Sequence, residues 1–306
     1  MEAFEAAIRI DPQYAAAYCK RGAARHAKGD WQAAVGDFTE AIRIDPQDAQ
    51  AYRGRALACQ LQGLLDRARQ SWDEVIRLKP QDVDAHLCRA IVHAGLRRPY
   101  RAIFDCDEAL RLDPQCVAAY HVRGVAFMET GNLQKAVADL TVVIQRTPDD
   151  ARAIKNRAVA YYRQGDHDSA IADYTQALRL SPDDVQSYKR RALAWYKRDS
   201  REYVETADRT RGPVKRIEIP QAAVQDLLDA IRLDPRDSET ALLLGTMYLE
   251  AGNLSAAREA LTESIRLNPK SGAAYMNRAA VSERMGRTEE SRADWAAARE
   301  LGMVTN

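Results

Sequence analysis

Small and large apolar side chains recur along the chain with a spacing of 34 residues. With Ala15 as position 1, position 8 is Gly or Ala in all eight periods, and position 20 is Ala in seven of them. Position 24 is large or apolar in every period: Phe38, Trp72, Cys106, Leu140, Tyr174, Leu227, Leu261 and Trp295. Small residues let two helices approach closely, and a large side chain between them fills the groove. The pattern therefore predicts pairs of packed helices.

Proline and glycine mark the predicted ends of these helices. A proline follows a second helix at Pro12, Pro46, Pro80, Pro114, Pro148, Pro182, Pro235 and Pro269, where it cannot continue the helix. Glycine at position 15 ends the first helix in six periods. The third period instead reads AGLRRPYRA, so we expect Pro99 to alter its turn. We predict 17 helices, a lone second helix at 2–10 and eight pairs.

This pattern resembles the tetratricopeptide repeat (TPR) family, whose repeats have the same length of 34 residues. The resemblance implies an all-α fold, a right-handed superhelical α-solenoid of helix-turn-helix repeats that share one continuous core. It also implies a single solenoid domain over residues 1–306. Its predicted parts are a half repeat at 1–14 and repeats at 15–48, 49–82, 83–116, 117–150, 151–184, 185–237, 238–271 and 272–305.

Arginine and aspartate recur together at two further positions. Position 7 is Arg in every repeat except the seventh, which has Leu244, and position 23 is Asp in six repeats. The seventh repeat also lacks the Asp and has Ala260. This covariation predicts a bidentate ion pair that joins the two helices of one repeat. Because functional residues rarely recur in every repeat, we interpret these residues as structural.

The sixth repeat contains 19 additional residues near 199–217. Apolar and charged residues alternate on both sides of Gly212-Pro213, which is consistent with a β-hairpin. A disordered loop is the alternative. Insertions in solenoids often lie on the binding face, but surface loops also tolerate neutral insertions, so both roles stay open.

Composition and charge narrow the range of functions. A net charge of +1 gives no general attraction to nucleic acids or anionic membranes. No apolar run reaches the length of about 18 residues needed for a membrane-spanning helix, so we expect no membrane partner. The five cysteines form no CxxC pair, which indicates reduced thiols and a cytoplasmic location.

Signatures of chemistry are missing from the sequence. It contains no phosphate loop, no GxSxG motif and no HExxH motif. His86 and His93 share one helix face, but they occupy packing positions that are Tyr in other repeats. We interpret them as core histidines. We therefore expect no enzymatic activity, no catalytic residues, no metal site and no cofactor.

In the TPR family, positions 2, 5, 6, 9, 12 and 13 of the first helices line a concave groove. At these positions the fifth and sixth repeats are basic with interleaved tyrosines, whereas the seventh is apolar. Residues 186–216 contain ten Lys or Arg and four Asp or Glu, a local charge of +6. We therefore predict a groove that binds an extended acidic peptide or a partner helix. The predicted peptide-binding residues are Arg152, Lys155, Asn156, Tyr162, Arg163, Lys189, Arg190, Tyr196 and Lys197.

The leading interpretation is a non-catalytic protein–protein interaction scaffold with an acidic protein or peptide partner. Alternatives are a structural or oligomerisation module and the TPR part of a larger protein, since neither end carries a polar capping helix. We expect Phe4, Ile8 and Ile10 to be partly uncovered, which favours self-association through the repeat ends or a missing upstream repeat. Single-stranded nucleic-acid binding, with Tyr162 and Tyr196 stacking on bases, is less favoured because the net charge is near neutral.

Overall fold

Helices follow one another in pairs along the chain. The computed structural model describes the backbone of residues 1–205 and 214–303, and the side chains of these ranges except 202–216. In these ranges the chain forms seventeen helices and two strands. The predicted all-α solenoid of helix-turn-helix repeats is confirmed, and each predicted repeat supplies one first helix and one second helix.

The first helices are α2 (Ala15–Ala27), α4 (Ala49–Leu61), α6 (Val83–Gly95), α8 (Val117–Glu129), α10 (Ala151–Gln164), α12 (Val185–Asp199), α14 (Ser238–Ala251) and α16 (Gly272–Arg284). The second helices are α1 (Glu2–Ile10), α3 (Trp31–Ile44), α5 (Leu65–Leu78), α7 (Pro99–Leu112), α9 (Leu133–Arg146), α11 (His167–Leu180), α13 (Gln221–Leu233), α15 (Leu254–Leu267) and α17 (Thr288–Glu300).

The helix ends agree with the glycine and cap signals of the sequence. α14 ends at Gly252, whose φ of 77° lies in the left-handed region that glycine adopts without steric cost. At the start of α11, the Asp166 carboxylate accepts the backbone N–H of Ser169. The third repeat departs from this pattern as expected, because Arg97 replaces the glycine with a φ of 57° and Pro99 begins α7.

The chain divides into two compact units, Met1–Ala153 and Ile154–Asn306. Consecutive helices pack against each other within each unit, for example α2 with α3 and α14 with α15. The predicted single solenoid domain over residues 1–306 stays a prediction.

The core contains the large residues of position 24. Trp72, Leu140, Tyr174, Leu227 and Leu261 are fully or almost fully buried. The small residues of position 8 are needed for this packing. A Cβ added at Gly245 would lie 2.6 Å from Cγ of Leu261, well inside van der Waals contact. The repeat pattern therefore reflects close helix packing, as the sequence predicts.

The predicted Arg–Asp ion pairs join the two helices of a repeat. In the fourth repeat, Nε and Nη2 of Arg123 donate to the two carboxylate oxygens of Asp139 at 2.7 and 2.8 Å. Among the described residues the same arrangement occurs at Arg21–Asp37, Arg89–Asp105, Arg157–Asp173, Arg191–Asp226 and Arg278–Asp294. The structural interpretation of these residues therefore gains direct support.

A further contact of these arginines was missed by the sequence analysis. The remaining Nη1 of Arg123 donates to Asp107 of the preceding repeat at 2.6 Å. Arg89 contacts Asp73 in the same way, and Arg191 contacts Thr175. Each of these guanidinium groups therefore connects its own repeat to the one before it.

The additional residues of the sixth repeat contain two strands, β1 (Arg201–Glu205) and β2 (Val214–Glu218). They pair antiparallel, with Arg201 opposite Glu218 and Glu205 opposite Val214. The β-hairpin alternative is thus confirmed for these strands, and β2 lies against α14. The predicted turn at Gly212-Pro213 lies outside the described residues.

Helix α1 exposes apolar surface. Every residue of α1 is at least partly exposed, and Ile10 is 86% exposed. Phe4 and Ile8 are half-buried. The expected partial exposure of these three side chains is confirmed, whereas self-association through the repeat ends stays a prediction.

Candidate functional site

A cavity of about 460 Å³ lies among the first helices α12, α14 and α16. Its lining residues occupy repeat positions 2, 5, 6 and 9, which the family resemblance assigns to the groove. We call it the carboxyl-terminal groove, and it is lined by Gln186, Lys189, Arg190, Leu193, Glu239, Leu242, Leu243, Thr246, Ala273, Met276 and Asn277. The predicted residues Lys189 and Arg190 are therefore brought together with the apolar positions of the seventh repeat.

Lys189 lies in this groove but is already paired. Its side-chain Nζ donates to Asp237 at 2.9 Å and also to Glu239, and the residue is only 5% exposed. Burial disfavours the charged amine, but the hydrogen bonds to the two carboxylates outweigh burial and raise the pKa of Lys189. Lys189 is therefore a positive charge that the protein itself neutralises.

Lys155 is paired in the same way. Its Nζ donates to Asp184 at 2.8 Å, and the hydroxyl of Ser187 donates to the same carboxylate at 2.7 Å. Burial opposes ionisation of Asp184, yet these hydrogen bonds hold its pKa below the ordinary value. The amine thus stabilises the aspartate that precedes the next first helix.

These pairs define a second recurring contact, between positions 5 and 34 of one repeat. Arg53 pairs with Asp82 in the second repeat, as Lys155 pairs with Asp184. Where position 5 is leucine, position 34 is not acidic: Leu87 is matched with Cys116 and Leu242 with Ser271. Sequence reasoning missed this covariation, although the comparison that revealed positions 7 and 23 could have found it.

Arg190 differs from its neighbour Lys189 because it is exposed. Its guanidinium lies close to the hydroxyl of Tyr174. Burial raises the pKa of Tyr174 to about 12, while Arg190 acts in the opposite direction. Burial raises the pKa of Tyr162, and the nearby Arg190 acts in the opposite direction. The ring centroid of Tyr162 lies 5.3 Å from that of His167. Arg190 therefore presents a cation at the edge of the groove.

The other predicted site residues have different surroundings. Tyr196 donates its hydroxyl to Glu250, and burial together with this contact raises the pKa of Tyr196. Arg163 and Lys197 are exposed, and Asn156 is half-buried. Arg152 is exposed and belongs to the first compact unit. The peptide-binding role of all nine residues stays a prediction.

Acids from outside residues 186–216 reduce the local charge of this region. Arg191 pairs with Asp226, and Arg198 pairs with Asp168 at 2.7 Å. Lys189 is bound to Asp237 and Glu239. Several basic residues of 186–216 are therefore paired with acids that lie outside this range and were not included in the charge count. The charge of +6 counted over residues 186–216 therefore overstates the positive charge available to a ligand.

A second groove lies among first helices in the first compact unit. This amino-terminal groove has a volume of about 540 Å³ and is lined by Ala16, Cys19, Lys20, Ala23, His26, Phe38, Asp48, Gln50, Arg53, Gly54 and Leu57. The ring of Phe38 packs against Gly54, where an added Cβ would lie 2.3 Å from Cζ. The groove positions predicted by the resemblance thus line cavities in both compact units.

Within residues 1–205 and 214–303, no group of three His, Cys, Asp or Glu side chains is arranged to hold a metal ion. His86 and His93 are buried, in agreement with their interpretation as core histidines. Across the same described ranges, no helix is long and apolar enough to cross a membrane.

Comparisons with known proteins show the family and the fold. Tetratricopeptide repeat profiles match residues 151–184 and, in overlapping segments, residues 2–151 and 220–301. A structure from a TPR repeat-containing protein of Cytophaga hutchinsonii has 16% identity and a TM-score of 0.66, and the match covers 85% of this chain and 98% of that chain. The search of curated proteins found no match.

Two further solved structures are similar. YrrB, described as a TPR protein with an unusual peptide-binding site, has 20% identity and a TM-score of 0.55 over 60% of this chain and 95% of that chain. MamA from Desulfovibrio magneticus RS-1 has 20% identity and a TM-score of 0.53 over 62% of this chain and 96% of that chain. At these identities the likeness shows the fold alone.

Proposed function

The chain belongs to the tetratricopeptide repeat family, whose members are protein-interaction scaffolds, and we propose that it binds an extended acidic peptide in its carboxyl-terminal groove. Family members bind protein or peptide partners, and YrrB is described as a TPR protein with an unusual peptide-binding site. A non-catalytic role follows the general character of the family.

One observation carries the proposal: an apolar floor and an exposed guanidinium share one cavity. Leu193, Leu242 and Met276 contribute apolar side chains to the lining, and Arg190 is exposed at the same surface. Transfer of apolar peptide side chains from water to this lining lowers the free energy of binding, and a few polar groups fix the orientation of the peptide. The Gln186 amide supplies a donor and an acceptor for the peptide backbone.

Two bases of the groove, Lys189 and Arg190, are opposed by two acids, Asp237 and Glu239, so the proposed acidic specificity depends on the exposed arginine and not on a net positive charge. Glu239 lines the groove, but its carboxylate is bound to Lys189, which also binds Asp237. Arg190 is the exposed cation of the lining, and guanidinium groups bind carboxylates with two parallel hydrogen bonds. A ligand carboxylate therefore has its best partner at Arg190. Of the predicted basic residues, Arg190 therefore lies at the centre of the proposed site.

The peptide is proposed to continue from α12 towards α10. Tyr162 is close to Arg190, and Asn156 and Arg163 lie on the same helix as Tyr162. Lys197 follows on α12. The paired Lys155 acts through its contact with Asp184. Tyr196 contributes the face of its ring, because its hydroxyl is bound to Glu250.

The test is a binding titration with a defined probe. A fluorescent peptide of alternating Glu and Leu is titrated with the wild-type chain, and a Lys–Leu peptide of the same length is the negative probe. Arg190→Glu should weaken binding of the Glu–Leu peptide by about tenfold or more, because attraction becomes repulsion at the centre of the site. Arg179→Glu is the matched control, since Arg179 is exposed on second helix α11 and does not line the groove.

Two results would overturn the proposal. Equal affinity for the Glu–Leu and Lys–Leu peptides would remove the acidic specificity. Binding that survives Arg190→Glu but is lost on deletion of residues 199–217 would make the additional segment of the sixth repeat the recognition element. Binding should also weaken as salt increases, because the Arg190 contact is screened at a partly exposed surface.

A further inference from the structure

A third cavity, of about 520 Å³, lies among α5, α6 and α7 and shares no lining residue with the two grooves. We call it the arginine pocket. Its lining includes four arginines, one histidine and one phenylalanine: Arg69, Arg89, Arg98, Arg101, His93 and Phe104. Two aspartates complete the lining, and all of these residues lie in the first compact unit.

The two aspartates do not balance the four guanidinium groups. Asp105 accepts two hydrogen bonds from Arg89, at 2.9 and 2.6 Å. Asp73 accepts one from Arg89 at 2.9 Å and another from Arg69 at 2.5 Å. With His93 neutral, the charged lining residues sum to +2. The exposed Asp66 lies outside the lining, 3.6 Å from Arg98 and 4.0 Å from Nε of Arg69.

Two buried nitrogen atoms of the lining lack a partner. His93 is 8% exposed, and its Nδ1 makes no hydrogen bond to any described residue. Nε of Arg69 is likewise buried and without a hydrogen-bond partner among the described residues. A buried polar atom without a hydrogen bond costs free energy, so Nε of Arg69 would gain from a ligand oxygen. Nε2 of His93 lies 3.8 Å from the Asp105 carboxylate, and Nδ1 can donate to a ligand in the tautomer that carries the proton on Nδ1. Burial lowers the pKa of His93, which keeps the imidazole neutral and able to donate one N–H.

The third repeat departs from the other repeats at the residues that form this pocket. Phe104 stands at position 22, where the other repeats have Gly, Ala, Gln or Glu, and it is 57% exposed. Arg98 precedes α7 without a side-chain cap, whereas Asp166 caps α11 at the corresponding place. Phe104 is therefore an aromatic surface that no other repeat has at this position and that repeat packing does not explain. Arginine at the position of Arg98 also occurs in the eighth repeat, as Arg287.

We propose that the arginine pocket binds a phosphate monoester carried on a flat apolar group. The four guanidinium groups outnumber the two lining aspartates and the exposed aspartate beside them, and guanidinium groups bind phosphate oxygens with paired hydrogen bonds. Arg98 and Arg101 supply these donors at the first turn of α7, where the helix dipole also favours an anion. Phe104 lies one turn after Arg101 and provides a surface on which the flat group stacks.

The proposal is tested by calorimetric titration of the full chain with phenyl phosphate. Arg98→Gln and Arg101→Gln should each weaken binding by about tenfold or more, the loss that follows removal of a charge-assisted hydrogen bond. Phe104→Ala should weaken binding of phenyl phosphate but leave the weaker binding of inorganic phosphate unchanged. Arg111→Gln is the matched control, because Arg111 is an exposed arginine of the same helix outside the pocket.

Further titrants show whether the pocket requires a phosphate group and whether the ligand is a small molecule or a modified protein. Benzoate has the same ring with a single negative charge and should bind at least tenfold more weakly than phenyl phosphate. Adenosine monophosphate and a short phosphotyrosine peptide represent a free small molecule and a modified partner protein, and the tighter of the two identifies the source. Affinity unchanged by Arg98→Gln and Arg101→Gln overturns the proposal. So does equal binding of benzoate, or failure of both natural phosphates to displace phenyl phosphate.

Discussion

The carboxyl-terminal groove and the arginine pocket are both rich in basic residues, but they differ in how those residues are paired. In the groove, Lys189 is held by Asp237 and Glu239 and contributes little free charge. In the pocket, four guanidinium groups meet two lining aspartates and the exposed Asp66, and buried nitrogens of Arg69 and His93 make no hydrogen bond to a described residue. The difference teaches that the availability of a cation depends on the acid that folding places beside it.

The largest expected effect tests whether the pocket carboxylates are structural. Asp105→Ala leaves the partly buried Arg89 without its bidentate partner, so the free energy of unfolding should fall by about 3–5 kcal/mol. The matched control is Asp107→Ala, which removes an exposed partner of Arg123 and should cost less than about 1 kcal/mol. Urea denaturation measures both. Similar losses of unfolding free energy in the two variants would show that burial of the aspartate does not determine how much its ion pair contributes to stability.

An intermediate effect separates the neighbouring cations of the groove. Lys189→Glu places a third carboxylate beside Asp237 and Glu239, so the free energy of unfolding should fall by about 2–3 kcal/mol. Arg190→Glu should change it by much less, because Arg190 is exposed. Thermal and urea unfolding of the two variants measure the contrast. A stable Lys189→Glu protein would break the comparison, since Lys189 would then be available to a ligand.

The smallest expected effect concerns the second repeat, which lacks the acid of position 23. Nε of Arg55 contacts the hydroxyl of buried Ser71 at 3.0 Å, and burial lowers the pKa of Arg55. Ser71→Asp restores the pair found in other repeats and should stabilise the chain by about 1 kcal/mol. Ser71→Asn has a similar shape without the charge and should give no gain in the urea midpoint. A loss of stability in Ser71→Asp would show that the site rejects the carboxylate.

Much of the fold could be predicted because its signals recur at a fixed spacing. Gly245 and Leu261 illustrate the close helix contact that the pattern of small and large residues predicts. Arg123 and Asp139 illustrate an ion pair that covariation between repeats revealed. The third contact of Arg123, to Asp107, could not be inferred in the same way, because position 25 is Asp in only two repeats and Thr, Leu or Ala in the others.

Of the nine candidate residues, the sequence placed Lys189 and Arg190 at a cavity, but it did not predict which of the two is paired. The groove positions of the family do line cavities, and Arg190 and Leu242 meet in one of them. The sequence analysis counted Lys155 and Lys189 as charges for a ligand, because their partners lie 29 and 48 residues away. The arginine pocket was missed because the altered turn at Pro99 was interpreted as a change of backbone alone.

The sequence by itself determined the helix pairs, their ends and the ion pairs within repeats, because these features depend on local spacing that recurs every 34 residues. Only the tertiary structure decided which basic residues are available to a partner. An acid neutralises a cation when the stacking of helices brings the two side chains within hydrogen-bond distance, and this depends on neighbouring repeats as well as on each residue. Lys189 and Arg190 are adjacent in the sequence, yet packing buries the first against two carboxylates and leaves the second exposed.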